Sequence, residues 1–180
     1  MVHPASEQRS TMSNQWLIAL AGEAGSGKST LGRALARRLR WPVVDKDDVR
    51  DLLDDATPGL AYDIMFNVAR RQLLLGLSVI CDSPLTGGPW HAVQVAEETG
   101  ATLAVVECRC PDEAVWRERI NARRALNLPA HHQTDWDAMQ PLRRGPAHQL
   151  AAIGCPHLVV DTLAPVDTLR DQVVAWLAAQ

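Results

Sequence analysis

The segment Gly22-Glu-Ala-Gly-Ser-Gly-Lys-Ser29 fits G-x-x-x-x-G-K-[ST] at every position, and no other stretch of the chain narrows its fold so far. Before it runs the apolar segment Trp16 to Ala21, as expected of a buried parallel strand; after it Leu31, Ala34, Leu35, Ala36 and Leu39 form a helical stripe. Strand, glycine-rich loop and helix is the context the motif requires. The glycines let consecutive backbone N–H groups point inward, and the helix start adds its positive dipole end, so a polyphosphate is held mainly by main chain. Lys28 is expected at the β- and γ-phosphates and the Ser29 hydroxyl on Mg²⁺. The expected nucleotide-binding set is Gly22, Ala24, Gly25, Ser26, Gly27, Lys28, Ser29 and Thr30, joined by Arg119 further along, with ATP and Mg²⁺ as cofactors. A glycine-rich turn without a ligand is the bland alternative.

The remaining chain repeats the alternation. Pro42 to Asp45, Leu77 to Asp82, Thr102 to Cys108 and His157 to Asp161 read as four more strands. Helices are expected from Asp47 to about Asp54, along the stripe Ile64, Met65, Val68, Ala69 and Leu73 up to Gly76, and after Pro165, where Val166, Leu169, Val173, Trp176 and Leu177 share a face. Strands alternating with helices mean an α/β fold, a parallel five-stranded sheet covered on both faces. With 180 residues, 47% of them apolar, the chain suits one domain, taken as 16–180, with 1–15 as a polar tail outside the fold. A lid is expected at about 117–150, with little apolar content and a loop from Asn127 to Gln133.

A net charge of −3 gives no global attraction to nucleic acid or anionic lipid. No apolar run approaches the roughly 18 residues of a membrane span, and Cys81, Cys108, Cys110 and Cys155 lack paired CxxC spacing. A cytoplasmic protein with reduced thiols is expected. The adjacent His131-His132 read as loop residues, and the six tryptophans as packing within core or flap.

Several polar residues fall where an open α/β sheet binds ligands, at the carboxyl ends of its strands. Asp82 ends a strand where a carboxylate steadies Mg²⁺ or its water shell, or else caps the Ser83-Pro84 turn. The run Asp45 to Arg50 is the candidate acceptor site. A carboxylate there, Asp47 before Asp45, is placed to take the proton of an attacking hydroxyl, and Arg50 to hold an anionic part of the acceptor. Asp47 also suits the N-cap of its helix. Asp112 is an expected N-cap for the next basic helix, which stacks Arg119 on Arg123 at i, i+4. The pair reads either as a charge clamp on a transferred phosphoryl group, with Arg124, Arg143 and Arg144 nearby, or as part of a solvated face partnered by Glu113 and Glu118.

Taken in order, GEAGSGKST, VVDKDDVR, VICDSP and VECRCPDEAVWRERINARR resemble the P-loop kinase group that includes 5′-polynucleotide kinases, zeta toxins and chloramphenicol phosphotransferases. The resemblance covers about Trp16 to Arg124 and implies the nucleoside-kinase strand order 2-3-1-4-5 with an Arg-bearing lid. It further implies Lys28 and Ser29 at phosphates and Mg²⁺, Asp47 as general base, Arg50 at the acceptor's phosphate, Asp82 near acceptor or metal, and Arg119 or Arg123 as lid contact. The chain departs from the polynucleotide-kinase pattern at Ser83-Pro84-Leu85 and has no broad basic channel. The expected activity is ATP-dependent phosphoryl transfer to a hydroxyl of a small molecule. A 5′-polynucleotide kinase and a nucleotide-dependent switch without transferase activity are the alternatives.

Overall fold

Six consecutive buried residues, Trp16–Ala21, form β1 at the centre of the sheet. Successive side chains of a strand point to opposite faces, so a strand covered on both sides must be apolar throughout. Leu17, Ala19 and Ala21 enter one core, and Ile18 and Leu20 enter the other. The computed structural model describes residues 15–53, 59–85, 89–125, 135–139 and 153–180.

Around β1 lie β2 (Val43–Asp45), β3 (Val79–Asp82), β4 (Thr102–Arg109) and β5 (His157–Asp161). The sheet is parallel, in the order β2-β3-β1-β4-β5, the nucleoside-kinase order expected from the sequence. Helices α1 (Lys28–Leu39) and α7 (Val166–Ala178) cover one face; α3 (Leu60–Leu74) and α4 (Trp90–Thr99) cover the other. The short α2 (Lys46–Arg50) leaves β2, and α5 (Glu113–Ala125) and α6 (Trp136–Met139) form a third cluster above the sheet's carboxyl edge.

Several boundaries and faces differ from the sequence reading. Gln15 is not tail: it is buried, its side chain donates to the Leu73 carbonyl at 2.7 Å, and its own carbonyl accepts from Thr102 N–H. Residues 1–14 lie outside the described residues. Helix α2 starts one residue early and ends at Arg50, four residues short of the expected limit. In α3 the buried stripe runs Ala61, Met65, Phe66, Ala69 and Leu73, while Val68 is exposed. In α7 Leu169, Val173 and Leu177 are buried, and Val166 and Trp176 sit half-buried at the edge of the face. Among the described residues no helix is long and apolar enough to cross a membrane.

Candidate active site

The loop between β1 and α1 turns sharply because Gly22 adopts φ 134°, and a Cβ there would lie 2.4 Å from the Cys108 carbonyl oxygen. Lys28 begins α1 and is buried, its Nζ donating to the Glu23 carbonyl across the loop at 2.8 Å. Burial pushes its ammonium pKa down, opposed first by the Asp82 carboxylate. Ser26 is also buried, and its Oγ has no hydrogen-bond partner among the described residues. A buried hydroxyl without a partner is costly, so this loop is built around a group that would supply one.

Parallel registry sets the carboxylates. Asp82 ends β3 opposite Leu20 of β1 and Asp45 of β2, which brings both aspartates beside the loop. Asp82 is buried; its pKa is raised by that burial and held back by Lys28 and by a hydrogen bond with Ser29. The next residue, Ser83, carries a second buried hydroxyl without a partner among the described residues.

At the end of β2 the structure corrects the cap. Asp45, not Asp47, caps α2: its Oδ1 accepts the Asp47 N–H at 2.9 Å. Asp47 sits two residues further on, one-third exposed, and its carboxylate is held by Lys46. Arg50 closes α2 and is exposed. Burial, then the neighbouring Asp82, raises the Asp45 pKa from 3.8 to about 6. The folded protein therefore binds a proton here that the unfolded chain releases, and stability falls as pH rises through that window. The gap would be worth about 3 kcal/mol for a fully buried group. Water around the partly exposed carboxyl reduces it to about 1 kcal/mol. Asp45→Asn keeps the capping oxygen, so it is expected to raise the melting temperature at pH 7, with the gain largely gone at pH 4. Equal gains at both pH values would remove the charge explanation.

The expected flap is no loose, polar segment at its start. Asp112 does cap α5, its Oδ1 accepting from Ala114 and Val115 N–H. Trp116 and Ile120 are buried, and Trp116 Nε1 donates to the Ala24 carbonyl at 2.7 Å, which presses α5 onto the glycine-rich loop. Trp136 meets Trp116 edge-on at 5.2 Å between centroids. Gly25, at φ 75°, leaves the space that Ile120 fills: a Cβ would lie 2.6 Å from Ile120 Cγ1. Gly25→Ala is expected to destabilise by about 2 kcal/mol or more, from backbone strain and overpacking. In a denaturant titration, Gly25→Ala should cost less in an Ile120→Ala background, which lacks Cγ1, than in the wild type; an equal cost in both would show that the contact is not what costs.

The two stacked arginines part company. Arg119 donates to Thr162 Oγ1 at 3.1 Å and to the Thr162 carbonyl at 2.8 Å, tying α5 to the segment after β5. Arg123 lies within electrostatic reach of Lys28 and Asp47; burial lowers its pKa, Asp47 opposes this, and its buried Nε has no partner among the described residues. Arg124 pairs outward with Asp135 at 2.6 Å. Arg143, Arg144, His131 and His132 lie outside the described residues, as does most of the expected lid beyond Ala125. Trp116 packs as the sequence reading expects of a flap tryptophan, whereas Thr162 carries no motif. Trp90 is exposed, not packed.

No group of three or more His, Cys, Asp or Glu side chains that could hold a metal occurs among the described residues. Mg²⁺ fits the site in another manner, since it usually keeps several waters and takes one or two protein oxygens plus substrate phosphates. Ser29 and the buried Asp82 are such oxygens.

A model of the AAA domain family matches residues 17–146. No curated protein matches the sequence. In fold the chain is similar to a candidate kinase from Chloroflexus aurantiacus, with TM-score 0.73, 22% identity, and 93% of this chain and 98% of that one covered. It is also similar to the Mycobacterium tuberculosis APS kinase solved with AMPPNP and APS, with TM-score 0.64, 20% identity, and 92% and 98% covered. For a gluconokinase from Sinorhizobium meliloti 1021 the TM-score is 0.58, at 18% identity, with 93% of each chain covered.

Proposed function

Because this chain belongs to the AAA domain family, we propose that it is an ATP-dependent phosphotransferase moving the γ-phosphate to a hydroxyl of a small molecule. The observation that carries the reading is the convergence of the buried Lys28 and the half-buried Arg123 with two carboxylates, Asp82 and Asp47, around the mouth of the loop. Phosphoryl transfer asks little covalent chemistry of a protein; it asks for positioning and charge stabilisation. The similar folds of kinases support the reading.

The roles follow from position. Loop amides and the Ser26 hydroxyl hold the phosphates. Lys28 exchanges its Glu23 carbonyl for phosphate oxygens. Asp47 accepts the acceptor's proton as the acceptor oxygen bonds to the γ-phosphorus and the bond to the ADP oxygen breaks. Arg123 faces that point and opposes the charge that develops there. Arg119, bound to Thr162, acts as a brace on the nucleotide side instead. Asp45 shapes the acceptor edge as the cap of α2, and Arg50, free of burial, is available to an anionic part of the acceptor. Ser29 and Asp82 would hold Mg²⁺, whose chemistry there would be neutralisation of phosphate charge.

The test is ADP release with Mg²⁺-ATP across nucleosides, 5′-hydroxyl oligonucleotides, sugars, UDP-sugars and hydroxyl-bearing antibiotics. Acceptor-stimulated turnover is expected with a small molecule. Stimulation by oligonucleotides alone, weakening steeply with salt, would favour a polynucleotide kinase. Slow turnover indifferent to every acceptor would favour a nucleotide-dependent switch.

A further inference from the structure

The chain holds eighteen lysines and arginines, yet only two are lysines, Lys28 and Lys46. Both are buried, and both lie at the candidate site. The function proposed above uses Lys28 and leaves Lys46 without a task.

Lys46 is the first residue of α2 and Asp47 the second, and the Lys46 ammonium contacts Asp47 Oδ1. Neighbouring residues on a helix do not ordinarily face each other, and where Arg170 reaches its neighbour Asp171 in α7 the pair is exposed. The Lys46–Asp47 pair differs in being backed by tertiary contact. The Lys46 side chain is 8% exposed and its Nζ stands 5.7 Å from the centroid of the Tyr62 ring, which α3 delivers. Tyr62 is the chain's one tyrosine, and His91 of α4 lies against it with centroids 6.4 Å apart and planes 19° from parallel. The ring folds the lysine back on its own neighbour, and the ammonium gains a cation–π contact in exchange for lost water. An ammonium is a compact charge on a flexible stem, whereas a guanidinium is a broad planar fork. A chain that otherwise uses arginine keeps lysine where the space between a carboxylate and a ring is small.

The charges around Asp47 explain why a clamp is needed. Asp45 on β2, Asp82 on β3 and Asp48 on α2 surround the same edge with negative charge; Lys28 on α1 and Arg123 on α5 oppose it from the nucleotide side. Lys46 is the counter-charge on the acceptor side. Resting on the reading of Asp47 as base, we propose that Lys46 is a positioning residue: clamped by Tyr62, it fixes the Asp47 carboxylate for the acceptor hydroxyl.

With two lysines, amine labelling of the intact chain followed by peptide mass mapping reads the clamp directly and needs no substrate. Lys46 is expected to resist labelling in the wild type and in Tyr62→Phe, which keeps the ring, and to become reactive in Tyr62→Leu and Asp47→Asn. Labelling of both lysines in denaturant serves as the reference for full reactivity. Lys46 labelled as fast in the folded wild type as in denaturant, or equally protected in Tyr62→Leu, would overturn the clamp. In turnover, with the acceptor that gives the strongest stimulation in the panel above, Lys46→Met is expected to lower kcat on the order of tenfold to a hundredfold, as misplacement of a reacting group does. KM for ATP should stay within about twofold, since Lys46 sits on the acceptor side, and Tyr62→Phe should retain the wild-type rate. Loss of turnover in Asp47→Asn with Lys46→Met indistinguishable from wild type would overturn the positioning role. If instead the labelling pattern holds and both Asp47→Asn and Lys46→Met leave turnover unchanged, it is the reading of Asp47 as base that falls, and the positioning role with it, while the clamp stands as structure.

Discussion

Lys28→Ala is expected to abolish ATP turnover, with kcat/KM for ATP reduced on the order of a thousandfold or more. In the proposed reaction Lys28 is the buried cation assigned to the transferred phosphate, and its Nζ already reaches across the loop to the Glu23 carbonyl. Alanine leaves that carbonyl and the Asp82 carboxylate without their cation. Two effects on the fold then compete: removal of a buried ammonium relieves desolvation, and loss of its attraction makes the buried Asp82 costlier to ionise. The fold should survive with a modest change in melting temperature, while the rise in melting temperature on adding Mg²⁺-ATP should disappear. Calorimetric scans with and without nucleotide separate the two. A variant that keeps the wild-type nucleotide-induced rise would show that phosphate is held elsewhere.

Much of this site was legible because its residues are fixed by main-chain geometry. The glycine-rich loop has a rigid spacing, and β1 reads as a strand because both of its faces must be apolar. Asp82 was recognisable as a strand-end carboxylate for the same reason. The partners of the charged side chains were not legible. Arg119 and Arg123 share a helical spacing, yet Thr162, 43 residues from Arg119, claims one and leaves the other beside Lys28 and Asp47. Asp45 and Asp47 are both good caps by type, and only the actual start of α2 decides between them. Lys46 carried no signal in spacing, because its pairing with Asp47 depends on Tyr62 from another helix. Trp116 and Trp90 are identical letters; one seals the loop and the other stands in solvent, which follows from where α5 and α4 pack.

Asp47→Asn separates chemistry from binding in the way Lys28→Ala cannot. Asparagine keeps the size of the side chain and the backbone N–H that Asp45 accepts, so α2 should retain its cap. It cannot take a proton from an attacking hydroxyl. If Asp47 is the base, kcat with acceptor should fall on the order of a hundred- to ten-thousandfold, the range for a lost general base. In the proposed function nucleotide binding rests on the loop, Lys28 and Ser29, so the rise in melting temperature with Mg²⁺-ATP should persist. Asp47 also contributes negative charge facing Arg123 and Lys28; its neutral replacement removes a repulsion from the anionic nucleotide, so ATP should bind as well as before or slightly better. Low kcat with undiminished ATP affinity would place Asp47 on the acceptor side of the transferred phosphate. A fall in ATP affinity with kcat preserved would place it among the nucleotide contacts and leave Asp45, the other carboxylate on that edge, as the residue to test for the base.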